Sequence, residues 1–323
     1  MRILMQSTIS LSDWFQVIDT EYLSTYVREG GSSVKFAVVS EESKTALYQK
    51  MQSRCEELGY LLVKFDATVA RAHMPQDFFF RLASQVDWRK LARLMILSLA
   101  SEREFQVEGI STDSEGNVFE AIAKVNGLEP QFVIGLIRPR IQDSVYRNAK
   151  MAKDFRVCMS HLCLEEDTHG DYSGQPLLDW LTGVNTRISS VRPFSICTSI
   201  NRNTARYFVE SAFYWIRRVG YAGTVVLFDN SRVTVARNPK DDLKYYTRAM
   251  TMEHYELLRE FIDGIDHLDG ALFVIVTSPE FLEDGSDRRS RGYGIYQALH
   301  TRVMDDVRDH NRVNPIATLI RFS

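Results

Sequence analysis

Val34-Lys35-Phe36-Ala37-Val38-Val39-Ser40-Glu41-Glu42-Ser43-Lys44-Thr45 is the stretch on which the reading of the fold turns. Its first six residues form a β-prone run. Residues 44–58 then show helical periodicity, which Gly59 stops. Leu61-Leu62-Val63-Lys64-Phe65-Asp66 is β-prone again. Strand, turn, helix and strand in that order predict a βαβ unit, and hence a parallel sheet.

Working outward, residues 13–28 read as an amphipathic helix, broken by Gly30-Gly31-Ser32-Ser33. Downstream the chain turns helical. A long apolar-rich helix is expected over residues 78–104. A second helical region spans 117–138, broken by Pro130, and a polar helical stretch covers 142–155. Residues 175–189 place Leu177, Leu178, Trp180 and Leu181 on one buried face. The α/β pattern then returns. Residues 204–219 carry Phe208, Ala212, Trp215 and Val219 at helical steps. Gly220 stops that helix before Thr224-Val225-Val226-Leu227-Phe228-Asp229, an unbroken apolar run of the kind that fills the centre of a parallel sheet. Residues 252–262 read as a helix and Ala271-Leu272-Phe273-Val274-Ile275-Val276 as another central strand. A helix over 295–310 and a last strand at 316–320 complete the pattern. The division that follows is 1–75 and 191–323 as the two parts of one α/β core, with 76–190 as a helical insertion.

Composition agrees with a folded globular chain: 45% hydrophobic and 25% charged residues over 323 positions. The net charge of −3 supplies no global field for nucleic acid or an anionic membrane, so any nucleic-acid contact must come from a local patch. Cys55, Cys158, Cys163 and Cys197 follow no disulfide framework. No signal-peptide order and no spanning apolar run is visible, so a cytoplasmic setting with reduced thiols is expected.

In an open α/β sheet, ligands bind beyond the carboxyl ends of the strands. Val38-Val39-Ser40-Glu41-Glu42-Ser43-Lys44-Thr45 occupies such an end and aligns with the P-loop pattern G-x-x-x-x-G-K-[ST]. The Lys-Thr pair is in place, but Val38 and Ser43 stand where the glycines belong. Glycine allows the positive φ by which successive N–H groups cradle phosphate, and β-branched Val38 resists it. Glu41 and Glu42 would stand near a polyphosphate. Like charges about 4 Å apart cost about 1 kcal/mol in water and about 4 kcal/mol at a partly buried effective dielectric. These contacts would offset much of what Lys44 and the helix N-terminus contribute. Asp229 occupies the place of a Walker-B acid that holds magnesium. Asn230 follows it where many such enzymes have a glutamate that activates water, and an amide cannot accept that proton. Thr277 ends the next strand, where a polar side chain can sense a γ-phosphate. Each match also has a plain structural reading, since Ser and Thr cap helices and acids commonly end strands.

The second half resembles a known family. Asn203-Thr204-Ala205-Arg206, Gly220-Tyr221-Ala222-Gly223 through Asp229, and Tyr255-Glu256-Leu257-Leu258-Arg259-Glu260-Phe261-Ile262-Asp263-Gly264 are similar to the BREX-system ATP-binding proteins. So are Gly270 through Leu282, Arg291-Gly292-Tyr293 and Tyr296-Gln297-Ala298-Leu299. The stretch from Glu21-Tyr22-Leu23 to Val34-Lys35-Phe36 resembles the lead-in to that family's P-loop. The resemblance implies an AAA+-like fold, an oligomer, ATP binding and DNA-linked work in bacterial anti-phage defence. Carried over by position, Ser43, Lys44, Thr45 and Asp229 would bind nucleotide, and Thr45 and Asp229 would hold magnesium. Val38, Ser43 and Asn230 depart from the pattern.

Further clusters carry two readings each. Arg288, Arg289 and Arg291 could form an arginine finger for a neighbouring subunit, or a solvated loop paired with Asp284 and Asp287. Arg202, Arg206, Arg217 and Arg218 could face phosphate, or be a solvated helix face. Cys158, His161, Cys163 and His169 match no zinc spacing. The expectation is an α/β P-loop AAA+-like core with a parallel sheet flanked by helices and a helical insertion. In function it would be a catalytically impaired pseudo-ATPase, a structural or regulatory partner in a defence assembly, with no cofactor and no membrane association. Protein partners are expected, with a competent P-loop ATPase homologue as one candidate and DNA as another. Two alternatives stay open: an active ATPase using ATP and magnesium through a non-standard loop, and a nucleotide-free DNA-binding adaptor.

Overall fold

In the computed structural model, residues 8–113, 116–166, 173–304 and 313–323 are described. They divide into two compact units: Met1–Phe78 with Tyr221–Ser323, and Phe79–Gly220.

The first unit holds five parallel strands: β1 (Ser33–Val38), β2 (Leu61–Asp66), β3 (Thr224–Asp229), β4 (Ala271–Thr277) and β5 (Leu319–Arg321). Their order is β2-β3-β4-β1-β5. The parallel βαβ expectation for β1, the helix after it and β2 is met, with two strands, β3 and β4, lying between β1 and β2. Every residue of β3 and β4 is buried, as their unbroken apolar runs require. Successive side chains alternate between faces. Ala37, Val225, Leu227, Leu272, Val274 and Val276 form one core with Trp14, Leu47, Met51 and Cys55. Phe65, Phe228 and Phe273 lie on the other face around Phe78. Phe65 and Phe228 stack at 4.3 Å, and Phe78 lies 6.0 Å from Phe273. Gly223 admits no side chain: its φ is +157°, and a Cβ there would lie 2.4 Å from the carbonyl oxygen of Gly270.

The helices, in chain order, are α1 (Leu11–Val17), α2 (Glu41–Leu58), α3 (Pro75–Ala83), α4 (Trp88–Ser101), α5 (Val118–Asn126), α6 (Pro130–Ile141), α7 (Lys153–Glu165), α8 (Gln175–Thr182), α9 (Ile188–Val191), α10 (Ala205–Arg218), α11 (Arg248–Asp263) and α12 (Gln297–Met304). The single helix expected over 78–104 is two, because Asp87 caps α4 by accepting the Lys90 N–H at 2.9 Å. Pro130 opens α6 at its first turn rather than breaking a helix. Helicity expected over 142–155 is interrupted: a π-helical turn ends at Tyr146, and α7 starts only at Lys153. The helix expected over 295–310 is described as far as Met304, and the rest of it lies outside the described residues.

The second unit is helical, with its C-terminal boundary at Gly220 where the sequence division had placed it at residue 190. The difference is α10, whose Phe208 meets Phe79, Phe155 and Trp180 at 5.5, 6.1 and 5.6 Å. A fully buried Phe contributes about 1.5–3 kcal/mol, so α10 packs where its apolar face is covered. No described helix is long and apolar enough to cross a membrane.

Candidate functional site: the carboxyl ends of β1, β3 and β4

Only Val39 and Ser40 separate β1 from α2, which begins at Glu41, three residues before Lys44. Ser40 is extended (φ −78°, ψ 163°) and caps the helix: its Oγ accepts the Ser43 N–H at 3.2 Å. Glu41 and Glu42 sit in the first turn, where the macrodipole favours acids. The Lys44 N–H donates to the Ser40 carbonyl at 2.9 Å, and the Thr45 hydroxyl donates to the Glu41 carbonyl at 3.3 Å. No residue from 38 to 45 has a positive φ. The amides of Ser43 and Lys44, which a P-loop turns onto phosphate, are thus engaged in an ordinary capped helix start. In a P-loop these amides converge on phosphate instead.

The structure brings Lys44 and Asp229 together. Lys44 Nζ lies 2.5 Å from Asp229 Oδ2 and 3.5 Å from Glu41 Oε2. Burial works against the Lys44 ammonium. The hydrogen bond and charge of Asp229, helped by Glu41, outweigh it, and its pKa is raised. The other Asp229 oxygen, Oδ1, accepts the Ser231 N–H at 3.0 Å. Both groups that would hold a phosphate and a magnesium ion therefore hold each other.

The ends of β3 and β4 differ. Asn230 is fully buried, its N–H donates to the Val276 carbonyl at 2.7 Å, and neither its side-chain oxygen nor its nitrogen has a partner. The hydroxyl of fully buried Thr277 is likewise unpartnered. His254 of α11 stacks on Phe228 at 5.4 Å, and its Nδ1 bonds the Ala72 carbonyl at 2.8 Å, leaving Nε2 without a partner. Burial, with the nearby His73, outweighs the Ala72 bond and depresses the His254 pKa to about 4.

Two residues here escaped sequence reasoning. Tyr48 has a buried, unpartnered hydroxyl. Its pKa is pushed up by burial and by the charges of Asp229, Asp66 and Glu41. It stands four residues past Lys44, on the same helix face, and that spacing was the available signal. Asp66 ends β2 in register with Asp229.

The other singled-out residues lie elsewhere. Arg288 and Arg289 are exposed, but Arg291 is buried, with its Nη1 on the carbonyls of Arg289 and Ser290 and its Nε unpartnered. Arg291 does not project as a finger, because Tyr255 holds its carbonyl and the loop folds it inward. Cys158 and Cys163 are buried, and burial raises both thiols. Among the described residues no three His, Cys, Asp or Glu side chains gather to hold a metal, and His169 lies outside them.

A parallel sheet in this order, with a Lys-Thr helix start on β1, a Walker-B-like acid on β3 and a polar residue ending the strand between them, defines a P-loop, AAA+-like core. Residues 125–323 match the BREX system ATP-binding protein BrxC/D family. The chain belongs to that family, whose setting is phage defence. The match takes in β3, β4 and β5 but stops short of β1 and α2. No curated protein and no solved structure matches the chain.

Proposed function

We propose that the chain is a catalytically impaired AAA+-like subunit that serves as a structural or regulatory partner within a BREX defence assembly. The observation that carries this reading is the self-engaged turn: Ser40 caps Ser43, and Lys44 pairs with Asp229 at 2.5 Å. Asn230 supports it, because an amide at that position can orient water but takes no proton from it. Such a subunit would leave hydrolysis to a competent P-loop ATPase and supply shape or contacts to the assembly.

The test is direct. With magnesium present, ATP is expected to leave turnover at background, in the wild-type chain and in Lys44→Ala alike. Steady turnover that Lys44→Ala abolishes would establish the competing reading, an active ATPase whose turn reopens on nucleotide. That reading draws on the unpartnered Asn230 and Thr277, which leave hydrogen-bonding capacity at the same strand ends.

A further inference from the structure

The helical unit contains a cavity of about 430 Å³ built from its own residues. That volume falls in the range of small-ligand sites, roughly 300–1,000 Å³. Its walls come from the loop before α7, the first turns of α7 and α10, and the segment around Cys197.

Two lysines and two carboxylates line the cavity, and they differ in what already engages them. Lys150 and Lys153 line it, both exposed, and neither forms an ion pair among the described residues. The two carboxylates in the wall are already committed. Asp154 accepts the N–H groups of Cys197 and Thr198 at 3.1 and 2.6 Å. Glu210 accepts from Arg206 at 2.9 Å. Tyr207 is 59% exposed, which leaves a ring open at the cavity wall, and such rings are platforms for bases. Lys150 already lies over the Tyr214 ring at 5.4 Å. Lys153 is the first residue of α7, where no side chain caps the helix and the macrodipole opposes a cation. A residue that works against its own helix is a mark of another task.

We infer that this cavity binds a nucleotide unit, its phosphate between Lys150 and Lys153 and its base against Tyr207. The unit is either a free mononucleotide or one link of a single-stranded nucleic acid, since both present the same phosphate and base. The site is separate from the strand ends of the α/β unit and does not depend on whether they hydrolyse ATP.

Cys197 lines the cavity and is exposed, whereas Cys55, Cys158 and Cys163 are buried. Thiol labelling of the native full chain therefore reads access to the cavity. AMP or a short oligo(dT) is expected to slow Cys197 labelling several-fold: protection by AMP alone assigns a free nucleotide, and protection by oligo(dT) alone assigns a strand. Reversing two charges beside a phosphate turns attraction into repulsion and should weaken that protection by tenfold or more in Lys150→Glu/Lys153→Glu. Lys153→Glu should hold or raise the melting temperature, since an acid suits that helix end, so lost protection would not mean lost folding. Lys44→Ala should leave the protection intact. The inference is overturned if neither AMP nor oligo(dT) protects Cys197, if inorganic phosphate protects it as well as AMP does, or if the double reversal leaves protection unchanged.

Discussion

The start of α2 and the ends of β3 and β4 meet at the same edge of one sheet, yet their polar groups are treated in opposite ways. At the start of α2 the groups of the turn find partners within the chain: Ser40 with Ser43, Thr45 with Glu41, Lys44 with Asp229; one turn further on, the buried Tyr48 hydroxyl has none. At the strand ends Asn230 and Thr277, and beside β3 His254 of α11, carry fully buried polar atoms with none. A buried polar atom without a partner costs about 1–3 kcal/mol. The contrast teaches that the phosphate side of this P-loop core has closed on itself, while the side that would face a reacting water has kept its hydrogen-bonding capacity.

The largest expected effect breaks the contrast by pH. His254 has a pKa of about 4 when folded against an ordinary value near 6.5. Between those values the unfolded chain binds a proton that the folded chain does not. Stability from this residue is therefore full above about pH 6.5 and falls as pH drops, by about 3 kcal/mol at pH 4. Urea melts of wild type and His254→Gln across this window should show the variant losing that part of the slope. Equal slopes would mean that His254 has a proton partner after all.

Next comes the pair that closes the turn. Lys44→Ala leaves Asp229 charged and mostly buried, and should cost about 2 kcal/mol. This is less than for a fully buried pair, because 20% of the Lys44 side chain stays exposed. A loss below about 0.5 kcal/mol in denaturant melts would show that the pair is no more than a surface contact.

Ser40→Ala should cost about 1 kcal/mol through the lost cap. Were the turn instead an open phosphate loop, that change would leave stability unmoved. Smallest is Thr277→Val, which removes an unpartnered hydroxyl at nearly constant volume and should stabilise by up to about 1 kcal/mol. If it destabilises, something bonds Thr277 and the two halves of the site differ less than their geometry says.

Much of the α/β unit could be read along the chain. The run from Thr224 to Asp229 and that from Ala271 to Thr277 are apolar throughout because both faces of a central parallel strand are covered. That property is local to each segment. That Lys44 and Asp229 each stand beyond the end of a parallel strand follows from the same pattern, while the order that puts β4 between those two strands does not. The early start of α2 was also legible, since Ser40 followed by Glu41 and Glu42 is a helix N-terminus by its own chemistry. Matching the octet to a phosphate loop put the helix three residues too late.

Other features depended on partners far away in sequence. That Lys44 closes on Asp229 rather than standing free, that Arg291 folds beneath Tyr255 instead of projecting, and that Asn230 is buried without a partner are each decided by groups at least 30 residues off. So is the membership of α10, whose apolar stripe is the same whichever surface covers it, and whose place is set by Phe79, Phe155 and Trp180. Residue type and spacing determine which elements form and which faces are apolar, because those are short-range consequences of backbone geometry and side-chain shape. Which polar group meets which, and which is left unmet, depends on the packing of distant segments, and only the tertiary structure decides it.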